Sequence, residues 1–323
     1  GIPAPKGELH ANFKVGSDKG GFLAIVQKDG AFGNYFFDYP KQRTDFSFGL
    51  NAEGQSAFFA SPTPGQSNAA SGLLGFVKDT KFSHNRGFFE QPFLLAVTSG
   101  TPDAIIYCTT DGSLPGPGNA AAFIYGKPVP ISTTTSFRSR AFLDGFEPSN
   151  TDTHTYFFLQ DVLKQPARPK GYPSVWAPNQ TADYAMDPRI VNSATYQDRI
   201  LPALRSHPTI ALTMDADAMF GNSPGIYSHP TSKGVNWEIP ASVELMDFPW
   251  ASDKQEDCGL RMQGNANRQP SRPKHNMRLV FRDRYGAGRL NFKLFEDAAA
   301  EKFNNLILRG QNGDSWIHPN ATQ

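Results

Sequence analysis

Cysteine is nearly absent from this chain: two residues in 323, Cys108 and Cys258, far apart in the sequence. Such a pair matches no metal-ligand spacing and supplies no disulfide framework, so a zinc module and a disulfide-stapled scaffold are both excluded; the redox compartment stays open. Long apolar runs are missing as well. None approaches the ~20 residues of a membrane-spanning helix, so no membrane span is expected. Excess charge of one sign is also lacking, with 31 Lys/Arg against 30 Asp/Glu and a net charge of +1. A chain so balanced is not the broadly basic kind that coats nucleic acid, and nucleic acid is not expected as a partner. The chain opens on Gly1 without a Met and shows no signal peptide. It stops at Gln323 soon after a promising strand, with no closing element, and reads as a piece of something longer, cut at both ends. Several catalytic signatures are missing too: G-x-S-x-G, H-E-x-x-H and the phosphate loop G-x-x-x-x-G-K-[ST]. The seven histidines are scattered.

What is plentiful is Gly (29), Pro (26) and Phe (26), a mixture that favours frequent turns, few helices and aromatic cores. The length suggests two to three domains, and the fold class expected is mainly β. Residues 8–60 alternate. Phe22-Leu23-Ala24-Ile25-Val26 reads as a strand, Lys28-Asp29-Gly30 as a hairpin turn and Tyr35-Phe36-Phe37 as the return strand. With Asp45-Phe46-Ser47-Phe48-Gly49 and the closing Ser61-Pro62-Thr63-Pro64-Gly65, residues 1–68 resemble the C-terminal half of a lamin-tail domain, an immunoglobulin-like sandwich. A Gly/Ser/Asn/Ala-rich stretch follows, and short strands resume at Phe82. Here Ile106-Tyr107-Cys108-Thr109-Thr110-Asp111-Gly112-Ser113-Leu114-Pro115, then Thr133-Thr134-Thr135 and Arg140-Ala141-Phe142-Leu143-Asp144-Gly145-Phe146-Glu147-Pro148-Ser149, make residues 82–160 resemble the chitobiase/β-hexosaminidase C-terminal module. Such modules are accessory sandwiches without catalytic residues, and no exposed aromatic platform for sugar is evident. Residues 161–190 form a Pro-rich linker. An amphipathic helical pattern runs over 194–206, with Pro202 inside it arguing against a straight helix.

The most informative stretch is 261–289, with eight Lys/Arg (Arg261, Arg268, Arg272, Lys274, Arg278, Arg282, Arg284, Arg289) against Asp283. A local cationic block in a neutral chain suits capture of a polyanion such as a nucleotide phosphate, although such runs are often solvated faces. Its Gly264-Asn265-Ala266-Asn267-Arg268 start can turn amide N–H groups toward an anion. Together with Pro208-Thr209-Ile210-Ala211-Leu212-Thr213, Trp237-Glu238-Ile239, Lys274-His275-Asn276-Met277-Arg278 and Leu306-Ile307-Leu308-Arg309, this makes residues 191–323 resemble the N-terminal part of the CotH kinase family. The resemblances imply a fold class of tandem immunoglobulin-like sandwiches followed by an incomplete α+β kinase-like lobe.

The resemblance implies ATP-dependent phosphoryl transfer to a protein hydroxyl, with Mg or Mn, in a secreted or bacterial envelope protein. Lys274, Arg268, Arg261, Gly264 and Asn265 would hold the nucleotide. Ala266 and Gln269 depart from the family pattern, which is richer in Ser. Glu238 and Glu244 orient Lys274 or bind metal, or else pair structurally with the basic block, the commoner outcome. Asp314 matches a family aspartate and is given no chemistry. The catalytic base and metal-binding aspartates would lie beyond Gln323, so this stretch alone is expected to be inactive. The rival reading is a non-catalytic adhesion or scaffold protein with a degenerate CotH-like unit. A third is capture of an acidic surface polysaccharide by the basic block.

Overall fold

A computed structural model describes residues 15–177, 180–272, 274–297 and 300–310. The protein is mainly β, and its few helices are short. Among the described residues no helix is long and apolar enough to cross a membrane. The chain divides into two compact units, Gly1–Val77 with Leu143–Pro148, and Lys78–Phe142 with Ser149–Gln323.

In the first unit, Gly21–Val26 pairs antiparallel with Phe32–Tyr39 around the expected turn. Gly30 occupies it at φ +86°, a left-handed conformation that glycine adopts without steric cost. Ser47–Leu50 pairs with Ser56–Phe59, and Gly75–Phe76 runs parallel to Phe146–Glu147. Phe58 packs on Phe48 and Phe76, whose ring also carries the Arg43 guanidinium 4.8 Å from its centroid.

The second unit holds an immunoglobulin-like sandwich and a second sheet. One sandwich layer has five strands in the order Phe123–Ile124, Ile105–Thr109, Thr135–Phe142, Asp152–Phe157, Gly87–Phe88. The facing layer comprises two short pairs, Phe93–Leu95 with Val129–Ile131 and Thr80–Phe82 with Val97–Ser99. The sequence suggests one strand over 93–97. It is instead two short strands, separated at Ala96, that pair with different partners. Because side chains alternate across a strand, Phe137, Ser139 and Ala141 point inward with Cys108 and Tyr156, all fully buried. Arg138 and Ser136 point outward beside Thr153 and Thr155.

The amphipathic pattern at 194–206 yields a helix only over Ile200–Arg205. Starting late places Pro202 in the first turn, where the backbone N–H it lacks would have had no intrahelical partner.

The other sheet is antiparallel, ordered Thr209–Thr213, Ile239–Met246, Lys254–Gln263, Asn276–Val280, Asn305–Leu308. One face is apolar: Ala241, Val243, Leu245, Leu260 and Leu279 pack under Ile226, Phe248 and Leu290. The opposite face is polar, carrying Thr213, Ser242, Glu244, Gln255 and Asp257. It lies against the outward face of the five-stranded sandwich layer, where Ser136 Oγ meets Thr213 Oγ1 at 2.5 Å.

Candidate functional site

The strand Lys254–Gln263 delivers the basic block to the edge of a pocket. Gly264 follows it at φ +97°, and a single 3₁₀ turn, Ala266–Arg268, carries Arg268 back under the loop. Arg268 is only 7% exposed. One of its terminal nitrogens donates to the Ser232 carbonyl at 3.3 Å, while its Nε is buried without a hydrogen-bond partner. Arg261, Gly264 and Arg268 line a pocket of about 260 Å³ together with Ser232, Lys233 and Trp237. Three cations converge there and no carboxylate lines it. That volume is below the ~300–1,000 Å³ of pockets that enclose whole small molecules. It suits a phosphate group, or one end of a longer phosphate chain.

The other expected nucleotide contacts lie apart from this lining. The sequence reads Lys274 as opening a strand over His275–Phe281, and it does not. It sits exposed on a bend before Asn276–Val280, and Asn265 is an exposed loop residue that precedes the 3₁₀ turn. His275 also precedes that strand. It is buried, bonded through Nδ1 to the Asn267 carbonyl at 2.8 Å and packed against Tyr227. Ser232 and Lys233 are not singled out by the sequence, and Trp237 enters there only as part of the Trp237-Glu238-Ile239 motif. They lie some 30 residues upstream, and the visible signal was the Lys233-Gly234 pair beside Trp237-Glu238, with Gly234 at φ +98°.

Glu238 and Glu244 point to the same face of the sheet, roughly 20 Å apart along it, and they meet different partners. Glu238 gathers Arg282 at 2.9 Å, Arg284 at 2.7 Å and Arg261 at 3.6 Å, with Tyr285 closing the cluster. Gly259 makes room, since a side chain there would strike both Tyr285 and Glu238. Burial alone would raise the Glu238 carboxyl; hydrogen bonds and charge from Arg282 and Arg284 outweigh it and hold it below the usual carboxylate value. Three of the eight cations of the basic block thus share one buried carboxylate.

Glu244 pairs outside the basic block altogether. It is fully buried and accepts the Thr155 N–H at 2.9 Å and the Thr155 hydroxyl, with Arg86 at 3.6 Å. Burial pushes its carboxyl up against the opposing pull of Thr155 and Arg86. Neither glutamate contacts Lys274 in any described hydrogen bond or ion pair. Among the described residues no group of three or more His, Cys, Asp or Glu side chains is placed to hold a metal. The Asp215-Ala216-Asp217 segment caps a helix, Asp215 accepting the Ala218 N–H at 2.8 Å. Asp314 lies outside the described residues.

With this geometry in view, one family match is found. Residues 85–153 match the chitobiase/beta-hexosaminidase C-terminal domain. The match falls on the sandwich of the second unit, where the sequence resemblance put it. No curated protein matches the chain.

Proposed function

We propose that residues 191–323 bind nucleotide phosphate, as the nucleotide-binding half of a CotH-like atypical kinase. The single observation behind this reading is the buried Arg268, with its unbonded Nε, in a pocket shared with Lys233, Arg261 and the Gly264 loop. An unpaired buried donor of this kind is costly and calls for an acceptor that phosphate oxygens supply. The donor set therefore fits the phosphate tail of ATP. It does not fit the divalent cation, because no carboxylate lines the pocket. In a kinase of this kind an acceptor hydroxyl oxygen would bond to the γ-phosphorus as the bridging bond to ADP breaks. The hydroxyl proton would go to a general base, a role the resemblance gives to none of the residues above.

The resemblance also reads residues 1–68 as the C-terminal half of a lamin-tail sandwich and implies an extracellular or bacterial envelope location. One observation favours the non-catalytic scaffold instead: Lys274, the lysine the family comparison singles out, lies outside the pocket lining.

The test is binding of a fluorescent ATP analogue by the chain. Arg268→Ala should weaken it at least tenfold and flatten its salt dependence, and Lys274→Ala should weaken it less. Equal binding by wild type and Arg268→Ala overturns the proposal.

A further inference from the structure

The turn Asp111-Gly112-Ser113 of the sandwich reaches across to Met214, at the end of the strand Thr209–Thr213. Gly112 makes the approach tight, since a side chain there would land on the Met214 carbonyl oxygen. Beside this contact opens a second cleft, of about 440 Å³, within the range of small-molecule sites. Its chemistry differs from that of the cationic pocket. No Lys or Arg lines it. Asp111 supplies one carboxylate: Oδ1 holds the Ser113 N–H and hydroxyl at 3.0 and 2.5 Å, which leaves Oδ2 without a described partner. The Thr110 and Thr133 hydroxyls also line the cleft and make no hydrogen bond among the described residues. Tyr172, from the Pro-rich segment, completes the wall. Edge contacts to Tyr184 and Phe220 fix its ring, yet 47% of the residue stays exposed.

We propose that this cleft, where the sandwich meets the second sheet, is a binding site for a neutral oligosaccharide, with Tyr172 as the stacking platform and Asp111 as the hydroxyl acceptor. The chemistry selects that ligand class. No Lys or Arg lines the cleft, and the nearby Arg138 is buried and engaged by the Gly112 carbonyl, so the exposed Asp111 carboxylate disfavours phosphates, sulfates and uronates, whereas sugar hydroxyls donate to it. Free threonine hydroxyls act as donor or acceptor to the same groups. A fixed aromatic ring with an open surface offers an apolar area to the C–H face of a pyranose while its hydroxyl stays in water. The sequence pattern conceals this site because its aromatic comes from the linker, some 60 residues after the Asp111 turn. The site is independent of the phosphate pocket, so either proposal can fail alone.

The experiment is calorimetric titration of the chain with cellopentaose and with chitopentaose, at low and high salt. Wild type should bind at least one, with little salt dependence. Tyr172→Ala should lower affinity about tenfold, the scale of one lost aromatic contact, and Tyr172→Phe should restore it. Asp111→Asn keeps an acceptor for Ser113 and should weaken binding severalfold, while Arg268→Ala should bind as wild type. Absence of binding to both oligosaccharides overturns the inference, as does undiminished binding by Tyr172→Ala or loss of binding in Arg268→Ala.

Discussion

Glu244 and Thr155 bridge two sheets: the carboxylate of one strand takes both the backbone N–H and the hydroxyl of the other. Arg86 stands beside them, one of its terminal nitrogens buried without a partner. A carboxylate so enclosed is tolerated only because its acceptor sites are filled.

Removing the acceptor from this pair exposes its role. Glu244→Ala leaves the Thr155 N–H and Arg86 buried and uncompensated, and should cost about 3–5 kcal/mol of unfolding free energy. Glu244→Gln keeps one acceptor oxygen and should cost less than half of that. Urea denaturation followed by tryptophan fluorescence measures both. A loss below about 1 kcal/mol in the alanine variant would show the seam to be incidental.

Asp257 lies on the same polar face, and Gln255 donates to it at 2.9 Å. Burial, together with Glu256 and Asp152, raises its carboxyl to about 7 from an ordinary 3.8, against Arg138 and Ser242. For an acid raised on folding, the stabilising contribution is complete below pH ~4 and is lost as pH climbs to 7. Asp257→Asn should therefore gain on wild type by up to about 1.4 kcal/mol per pH unit across that window. Melting curves at pH 4, 5.5 and 7 test this, and a constant difference between the two proteins would contradict it.

The thiols give a chemical check on the two sheets. Cys108 and Cys258 are free and fully buried, and burial pushes the Cys108 thiol to about 12 and the Cys258 thiol higher still. Reactivity follows the thiolate, so Ellman's reagent should find neither in the native protein and both after denaturation. Fast labelling of either in the native state would mean its strand is not packed as described.

How much of this was legible beforehand depended on range. Local alternation and turn chemistry marked the hairpin around Gly30, and the Thr-rich and Asp-Gly signals marked the sandwich that residues 85–153 match. The basic block was visible as charge, but the pairing of three of its arginines with Glu238 was not. Glu238 sits more than 40 residues before Arg282, and only strand register brings them together. Likewise the six-residue spacing of Glu238 and Glu244 showed a shared face but not that one end meets arginines and the other meets Thr155. Lys274 stood out by type, whereas its exposure on a bend follows from where the neighbouring strand begins.

The Glu238 cluster would tie stability to the anion capture proposed above. Its side chain is fully buried and holds Arg261, which lines the cationic pocket, together with the half-exposed Arg282 and Arg284. Glu238→Gln should cost about 1–3 kcal/mol at pH 7, less than a wholly buried pair because two partners reach solvent. The carboxyl is held below its ordinary 4.5, so its contribution is present above that pH and fades as pH falls through the lowered value. The two proteins should therefore converge in strongly acid buffer. Over the same substitution, affinity for the ATP analogue at pH 7 should rise severalfold, since Arg261 loses its competing anion. A variant that is destabilised yet binds the nucleotide no better would separate the cluster from the pocket and leave Glu238 with structure alone.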